Sequence, residues 1–308
     1  ALCRIEQEGS GLGVVTNTYL EAGVYDVSLM VSNLLGQTHT SVRQDMIGIG
    51  WPETFVSLNG SHTYPYTNWA MAATNLASAV AVAQDGGVVL VSNGDYAVSA
   101  PVVLDRALVV KGLNGHSQTI IRGTNSCRLF VVGNTSAVID GLTLTGGRGP
   151  TQGGAVYNLG GTIQNCLISG NHSGSVNADA GQGGGVYSVG GVIRNCVFLN
   201  NDADGSPVFG TSFGGAVYLV GGLVDNCTIG GNYAHISITY GSGGGGGIAG
   251  SGQVRNSIFR DNTPSDLFGD VGASWCLSPS AFSGTGNRAG DPAFVDADAQ
   301  NYQLLPSS

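Results

Sequence analysis

Apolar and polar positions recur along this chain in blocks of about thirty residues between Gly153 and Asn262. The blocks read GGAVYNLGGTIQNCLISGN, GGGVYSVGGVIRNCVFLNN, GGAVYLVGGLVDNCTIGGN and a shortened GGGIAGSGQVRNSIFRDN. The Asn that precedes Cys or Ser stands at 165, 195, 226 and 256, a period of 30, 31 and 30 residues. A fixed period in this range marks one structural unit stacked on copies of itself. Inside a block the apolar residues alternate over short runs, which is strand periodicity, and no helical stripe interrupts them. Glycine pairs such as Gly160-Gly161 and Gly190-Gly191 break the chain between runs, because glycine tolerates positive φ. Three short strands and three bends per block predict one winding of a right-handed parallel β-helix.

Stacked windings place equivalent residues directly above one another, about 4.8 Å apart. Ile163, Ile193, Val224 and Val254 are expected to form one internal aliphatic column. Cys166, Cys196 and Cys227 form a second, preceded by Leu142 and ended by Ser257. Asn165, Asn195, Asn226 and Asn256 form a ladder at a bend, since an Asn amide both donates and accepts and Asn tolerates the left-handed conformation. Asn171, Asn201, Asn232 and Asn262 form a second ladder. Gly112 and Gly141 take the place of the bend Asn in earlier, less regular windings. Counting from Val88 to about Asn287 gives roughly seven windings at this repeat length.

The two ends of the chain follow other patterns. Residues 23–29 (GVYDVSL) alternate, Asn33 to Gln37 turn, and a second alternating run follows, which predicts an antiparallel hairpin. This stretch resembles the last strands of a polycystic-kidney-disease-type (PKD) domain, an immunoglobulin-like sandwich. The first strands of such a sandwich have no counterpart, so the expectation is a partial domain over 1–50 whose open face needs a cover. The second domain spans 51–308. Thr67 to Ala83 carries the one helical pattern, with Thr67 as N-cap, Trp69, Ala73, Leu76, Val80 and Ala83 on one face and Gly86-Gly87 after it. Such a helix would lid the first winding. Gly284 onward, with Asp291-Pro292 and Phe294-Val295-Asp296, reads as a C-terminal cap over 284–308.

Composition narrows the function. A formal net charge of −9, with 10% charged residues and a single lysine, leaves no basic footprint for nucleic acid or an anionic membrane. No run of eighteen apolar residues suggests insertion in a bilayer. The six cysteines do not fix the compartment. Cys166, Cys196 and Cys227 read as small buried hydrophobes, because a straight stack gives poor disulfide torsions and no tetrahedral convergence for a metal. Cys3, Cys127 and Cys276 have no assigned partner.

Three groups of residues carry candidate chemistry. Tyr157, Tyr187 and Tyr218 point outward if Val156, Val186 and Val217 point inward, and an outward aromatic strip suits sugar rings. The segments 172–182, 202–213 and 233–244 vary between blocks and carry His172, Asp179, Asp202, Asp204, Tyr233, His235 and Tyr240; loops on a rigid scaffold are where recognition concentrates. Asn200, Asp202 and Asp204 resemble the start of a calcium loop, though no Glu follows at the twelfth position. Apart from that calcium no cofactor is expected.

Three motifs resemble one family. They are Phe55-Val56-Ser57 with Pro65-Tyr66-Thr67-Asn68-Trp69-Ala70 and Ala72-Ala73-Thr74-Asn75; the repeated Val-Tyr and Asn-Cys units; and Asp291-Pro292 with Phe294-Val295-Asp296. Together they are similar to the choice-of-anchor Q domain proteins of the pectin-lyase-like superfamily, over residues 53–306. That family runs on into a Ser-Pro and Ala-Gly segment that this chain does not reach. The resemblance implies export and surface display, with no implied activity. The expected function is a non-catalytic extracellular β-helix that contacts glycans, sister subunits or other surface proteins and assembles into fibres. The alternative is a polysaccharide lyase or glycoside hydrolase, with residues drawn from Asp179, Asp202, Asp204, His172 and His235. The Asn-Thr-Asp, Asp-Asp, His-Gly and Arg-Ile-Lys runs of the superfamily's galacturonases are absent, so no catalytic residue is assigned.

Overall fold

The computed structural model describes residues 23–33, 35–174, 180–205, 212–236, 244–280, 282–296 and 301–304. Contacts divide the chain into two units, Ala1–Trp51 and Pro52–Ser308. In the first, β1 (Gly23–Ser32) and β2 (Thr38–Ile49) pair antiparallel, with a shift in register between Tyr25 and Val27. Asn33 closes the turn, its side-chain oxygen accepting from the backbone of Leu35 and Gln37. The predicted hairpin is therefore present, and Leu29, Met30, Val31 and Val42 are exposed on it.

The second unit is nearly all β, and its strands lie in long parallel sheets. One sheet has nine strands, from Gly94–Val98 to Arg288–Ala289, because irregular windings before and after the clear repeats each add a strand. A four-stranded sheet comprises Arg148–Gly149, His172–Ser173, Asp202–Ala203 and Tyr233–Ala234. The largest sheet is two parallel stacks joined where the long strand Ile248–Arg255 pairs with both Val217–Leu219 and Leu223–Asp225.

The stacking follows the repeat register. Ile163 pairs with Ile193, Ile193 with Val224 and Val224 with Val254, all buried. Each such side chain withdrawn from water stabilises the fold by about 1.5–3 kcal/mol. The sulfur column is one member longer than the sequence suggested. Cys276 follows Ser257 on the next winding, with Leu277 N–H donating to Ser257 O at 2.9 Å. Its period is hidden because that winding is short. The thiols of Cys127, Cys166, Cys196, Cys227 and Cys276 are free, and all but Cys127 are buried. Each column thiol donates to the carbonyl two residues earlier, as Cys166 does to Gln164 at 3.0 Å. Burial raises the Cys196 thiol well above its ordinary pKa, which keeps it protonated and inert. Cys3 lies outside the described residues.

Every block turns its corner on glycine. Gly153, Gly183, Gly214 and Gly245 adopt φ of +62° to +68°. The next glycine has no room for a side chain: a Cβ on Gly184 would come within 2.4 Å of the Asp202 and Gly215 backbones.

The helix is shorter than its pattern predicted. α1 spans Leu76–Val82, and Asn75 is its N-cap, accepting from Ser78 N–H at 2.9 Å. Residues 67–74 are not helical because the neighbouring segment takes their carbonyls. Ser61, His62 and Thr63 N–H bond Ala70, Ala72 and Met71 O, and Ala73 bonds Phe55 and Ser57. Leu76, Ala79 and Val80 are buried, while Trp69 is exposed and meets Phe55 edge-on at 4.7 Å. Arg106 closes the far end, its guanidinium donating to Val80 O and Ala83 O. In the expected C-terminal cap, Phe294–Asp296 and Asn301–Leu304 form an antiparallel hairpin, and Arg288–Ala289 belongs to the nine-stranded sheet. Residues 305–308 lie outside the described residues.

Candidate functional site

Two outward faces gather the residues with chemistry. On the larger sheet, Val156, Val186 and Val217 point into the core, so the tyrosines between them point out. Tyr157, Tyr187 and Tyr218 stack with centroids 5.3 and 5.4 Å apart and ring planes within 7°. Arg128 caps the stack, its guanidinium carbon 5.2 Å from the Tyr157 centroid, while it donates to Gln152 O and Gly153 O. Burial, with the two flanking rings, raises the Tyr187 hydroxyl above its ordinary pKa. Stacking has a consequence the sequence did not show. Ring faces are spent on one another, so the column offers solvent ring edges and hydroxyls. The free face belongs to Tyr218, because its partner on the next winding is Ala249.

One winding further the aromatic run resumes. Ala249 pairs with Phe268, which is exposed. Phe213 spans the gap, 6.4 Å from the Tyr218 centroid and 5.5 Å from that of Phe268. The small residues Gly250 and Ser251 leave a trough of about 400 Å³ between the Tyr218–Val220 and Phe268–Asp270 rungs. Neither Phe213 nor Phe268 was marked in the sequence. Phe213 borders a segment of variable length, and Phe268 sits in a winding without the repeat motif.

The other face is the outside of the four-stranded sheet. Arg148, His172, Asp202 and Tyr233 stack in register. Asp204 and His235 follow two residues on. His172 Nδ1 lies 3.7 Å from Asp202 Oδ2, and His235 Nε2 lies 3.5 Å from Asp204 Oδ1. Arg148 approaches Asp204 Oδ2 at 3.9 Å. Tyr233 meets His235 edge-on at 4.9 Å. Burial raises the Asp202 carboxyl above its ordinary pKa, an effect opposed by His172, His235 and Arg148 and reinforced by Asp204. Asp202 Oδ1 is buried with no hydrogen-bond partner among the described residues. Asp204 is buried, and its Oδ1 accepts from Gly205 N–H at 2.9 Å.

The sequence-marked residues thus divide. Tyr157, Tyr187 and Tyr218 share one face. His172, Asp202, Asp204, Tyr233 and His235 share the other, joined by Arg148, which the sequence did not single out because its winding is only 24 residues from the next. Asn200 turns away from Asp202 and Asp204: its amide oxygen would lie 2.7 Å from a Cβ on Gly231. Asp202 and Asp204 face His172, His235 and Arg148. Among the described residues no group of three or more His, Cys, Asp or Glu side chains could hold a metal ion. Asp179 and Tyr240 lie outside the described residues.

No family model matches this chain, and no curated protein matches it. Among solved structures it is similar to three pectin methylesterases, each with a TM-score of 0.43. One, in complex with hexasaccharide VII, is 14% identical over 75% of this chain and 72% of its own. PemA from Erwinia chrysanthemi is 12% identical over 81% and 95%. The Aspergillus niger enzyme is 11% identical over 83% and 91%. The fold is a right-handed parallel β-helix. The likeness is one of winding alone, and no residue role transfers with it. Among the described residues no helix is long and apolar enough to cross a membrane.

Proposed function

We propose that this chain is an extracellular, surface-displayed β-helix, as its choice-of-anchor Q resemblance implies, and that it recognises glycans. One observation carries the reading. The run Tyr157–Tyr187–Tyr218–Phe213–Phe268 is unbroken across successive windings, with ring centroids 5.3 to 6.4 Å apart. A rigid aromatic ridge of this length does little for a core that is already closed beneath it. Outward aromatic ridges mark interaction sites; here Tyr187 is buried, Tyr157, Phe213 and Tyr218 are half-buried, and Phe268 is exposed. Glycan binding to the full chain, measured on a panel of neutral and acidic oligosaccharides, tests the reading. Binding that falls in Tyr218→Ala supports it; a panel without any binder rejects it.

A second reading, cleavage of the bound glycan, is favoured by the meeting of Asp202, Asp204, His172 and His235. Two carboxyl groups side by side, one of them held up by burial, are what general acid and general base chemistry draws on. New reducing ends or unsaturated products that vanish in Asp202→Asn would support cleavage. A silent panel that still binds would leave recognition alone. Self-assembly with sister subunits through the N-terminal hairpin is read by electron microscopy: ordered fibres support it, and isolated particles reject it.

A further inference from the structure

We propose that the trough beside Tyr218 is a slot for the terminal ring of a neutral glycan. This rests on the glycan-recognition reading and adds a place, an orientation and a chemical class.

The width comes from the register. The Tyr218 and Phe268 backbones flank the winding of Ala249 two strand spacings apart, roughly 9–10 Å, and the Phe268 ring leans back over Gly244 on that middle winding. The space for a ring lies beside it, over Gly250 and Ser251. The floor is low because its residues include Gly250, Ser251 and Gly269. A side chain at Gly250 is excluded: its φ is +105°, and a Cβ would come within 1.9 Å of Leu219 O. The walls are therefore built tall and the floor is held low.

The trough has a direction. Phe213 contacts both aromatic walls and closes one end. The other end opens past Val220, Ser251 and Asp270, all exposed. A slot closed at one end takes a chain end, because the interior of a polymer would have to leave on both sides.

The lining selects the class. Tyr218, Phe213 and Phe268 offer apolar surface, while Ser251 Oγ and the Asp270 carboxylate stand at the mouth. Ser251 donates to Val220 O at 2.9 Å, which leaves its oxygen lone pairs free to accept. A pyranose has the matching division, with C–H faces toward the walls and hydroxyls toward the mouth. A wholly apolar ligand would strip water from Asp270 without replacing its hydrogen bonds. No Lys, Arg or His lines the trough, and Asp270 does, so a uronate is repelled.

The test uses the full chain and calorimetric titration with neutral hexose tetrasaccharides, a galacturonate tetramer and a phenylalanine-containing peptide. Ser251→Phe fills the mouth at an exposed strand position, and Phe268→Ala removes one wall. Both are expected to keep the parent melting temperature and to weaken the neutral tetrasaccharide by about tenfold or more. Leu113→Ala, at an exposed position on an early winding, should bind as the parent does. A bulky group on the non-reducing end should abolish binding if that end enters, and one on the reducing end if the other does; if neither matters, the slot is overturned. Undiminished binding in Ser251→Phe likewise overturns the slot while glycan recognition stands. Preference for the galacturonate tetramer overturns the neutral class. Binding of the peptide alone, or of nothing, overturns the glycan reading and the slot with it.

Discussion

Two asparagine ladders run up this molecule at the same period and do different work. Asn171, Asn201, Asn232 and Asn262 are buried, and their amides saturate one another. Asn201 Nδ2 donates to Asn232 Oδ1 at 2.9 Å and to Ile168 O at 2.9 Å; its Oδ1 accepts from both the side chain and backbone of Asn171. Asn165, Asn195, Asn226 and Asn256 are exposed, with φ between +51° and +56°. They make one lateral bond per rung, such as Asn226 to Asn195 at 2.8 Å, and Asn256 leaves the ladder for Asp225. The first ladder is chosen for its hydrogen bonds and the second for its backbone. A repeat alone does not distinguish them; burial and φ do.

Mutations can break that comparison or sharpen it. The largest effect is expected for Asn201→Ala. It orphans Asn171 N–H in the interior and removes the amide bonds to Asn171, Asn232 and Ile168 O, and a buried unsatisfied group costs about 1–3 kcal/mol. A loss of roughly 3–5 kcal/mol by denaturant unfolding is expected; a loss equal to that of Asn195→Ala would erase the distinction. Asn195→Ala should cost about 1–2 kcal/mol, from left-handed strain and one exposed bond. Asn195→Gly should recover most of that, because glycine adopts this φ freely. If Gly is no better than Ala, the exposed ladder works through its amides after all.

The smallest effect concerns pH. Burial holds the Asp202 carboxyl above its ordinary pKa, so the folded state binds its proton more tightly than the unfolded chain. Below the ordinary carboxylate value both states are protonated. As pH rises from there through the raised value, the residue subtracts stability. Asp202→Asn should therefore melt with the parent at the acid end and slightly above it near neutrality. A variant that melts lower at neutral pH would mean that the pairing with His172 outweighs burial.

The regular windings were legible because each strand pairs with its own copy, so period, register and interior all follow from one alignment. The start of α1 was not, because the apolar spacing of Trp69 and Ala73 is helical while their carbonyls serve residues 55–63. Cys276, Phe268 and Arg148 were missed for a shared reason: each sits in a winding of irregular length, where alignment by motif fails and only spatial register identifies the neighbour. His172, Asp202 and His235 lay in the variable segments, and their separation in sequence gave no sign that the stacked windings would bring them together.

The buried ladder also has a polarity. Each amide hands one hydrogen to the Asn of the following rung and the other back to a carbonyl of the preceding winding, and its oxygen accepts from the preceding Asn. A copied block inserted between two others would find an acceptor on one side and a donor on the other, with its glycine corner and aliphatic column already matched. Gene duplication could lengthen this protein one winding at a time without redesigning any contact, whereas a block inserted in reverse would meet donor with donor and acceptor with acceptor.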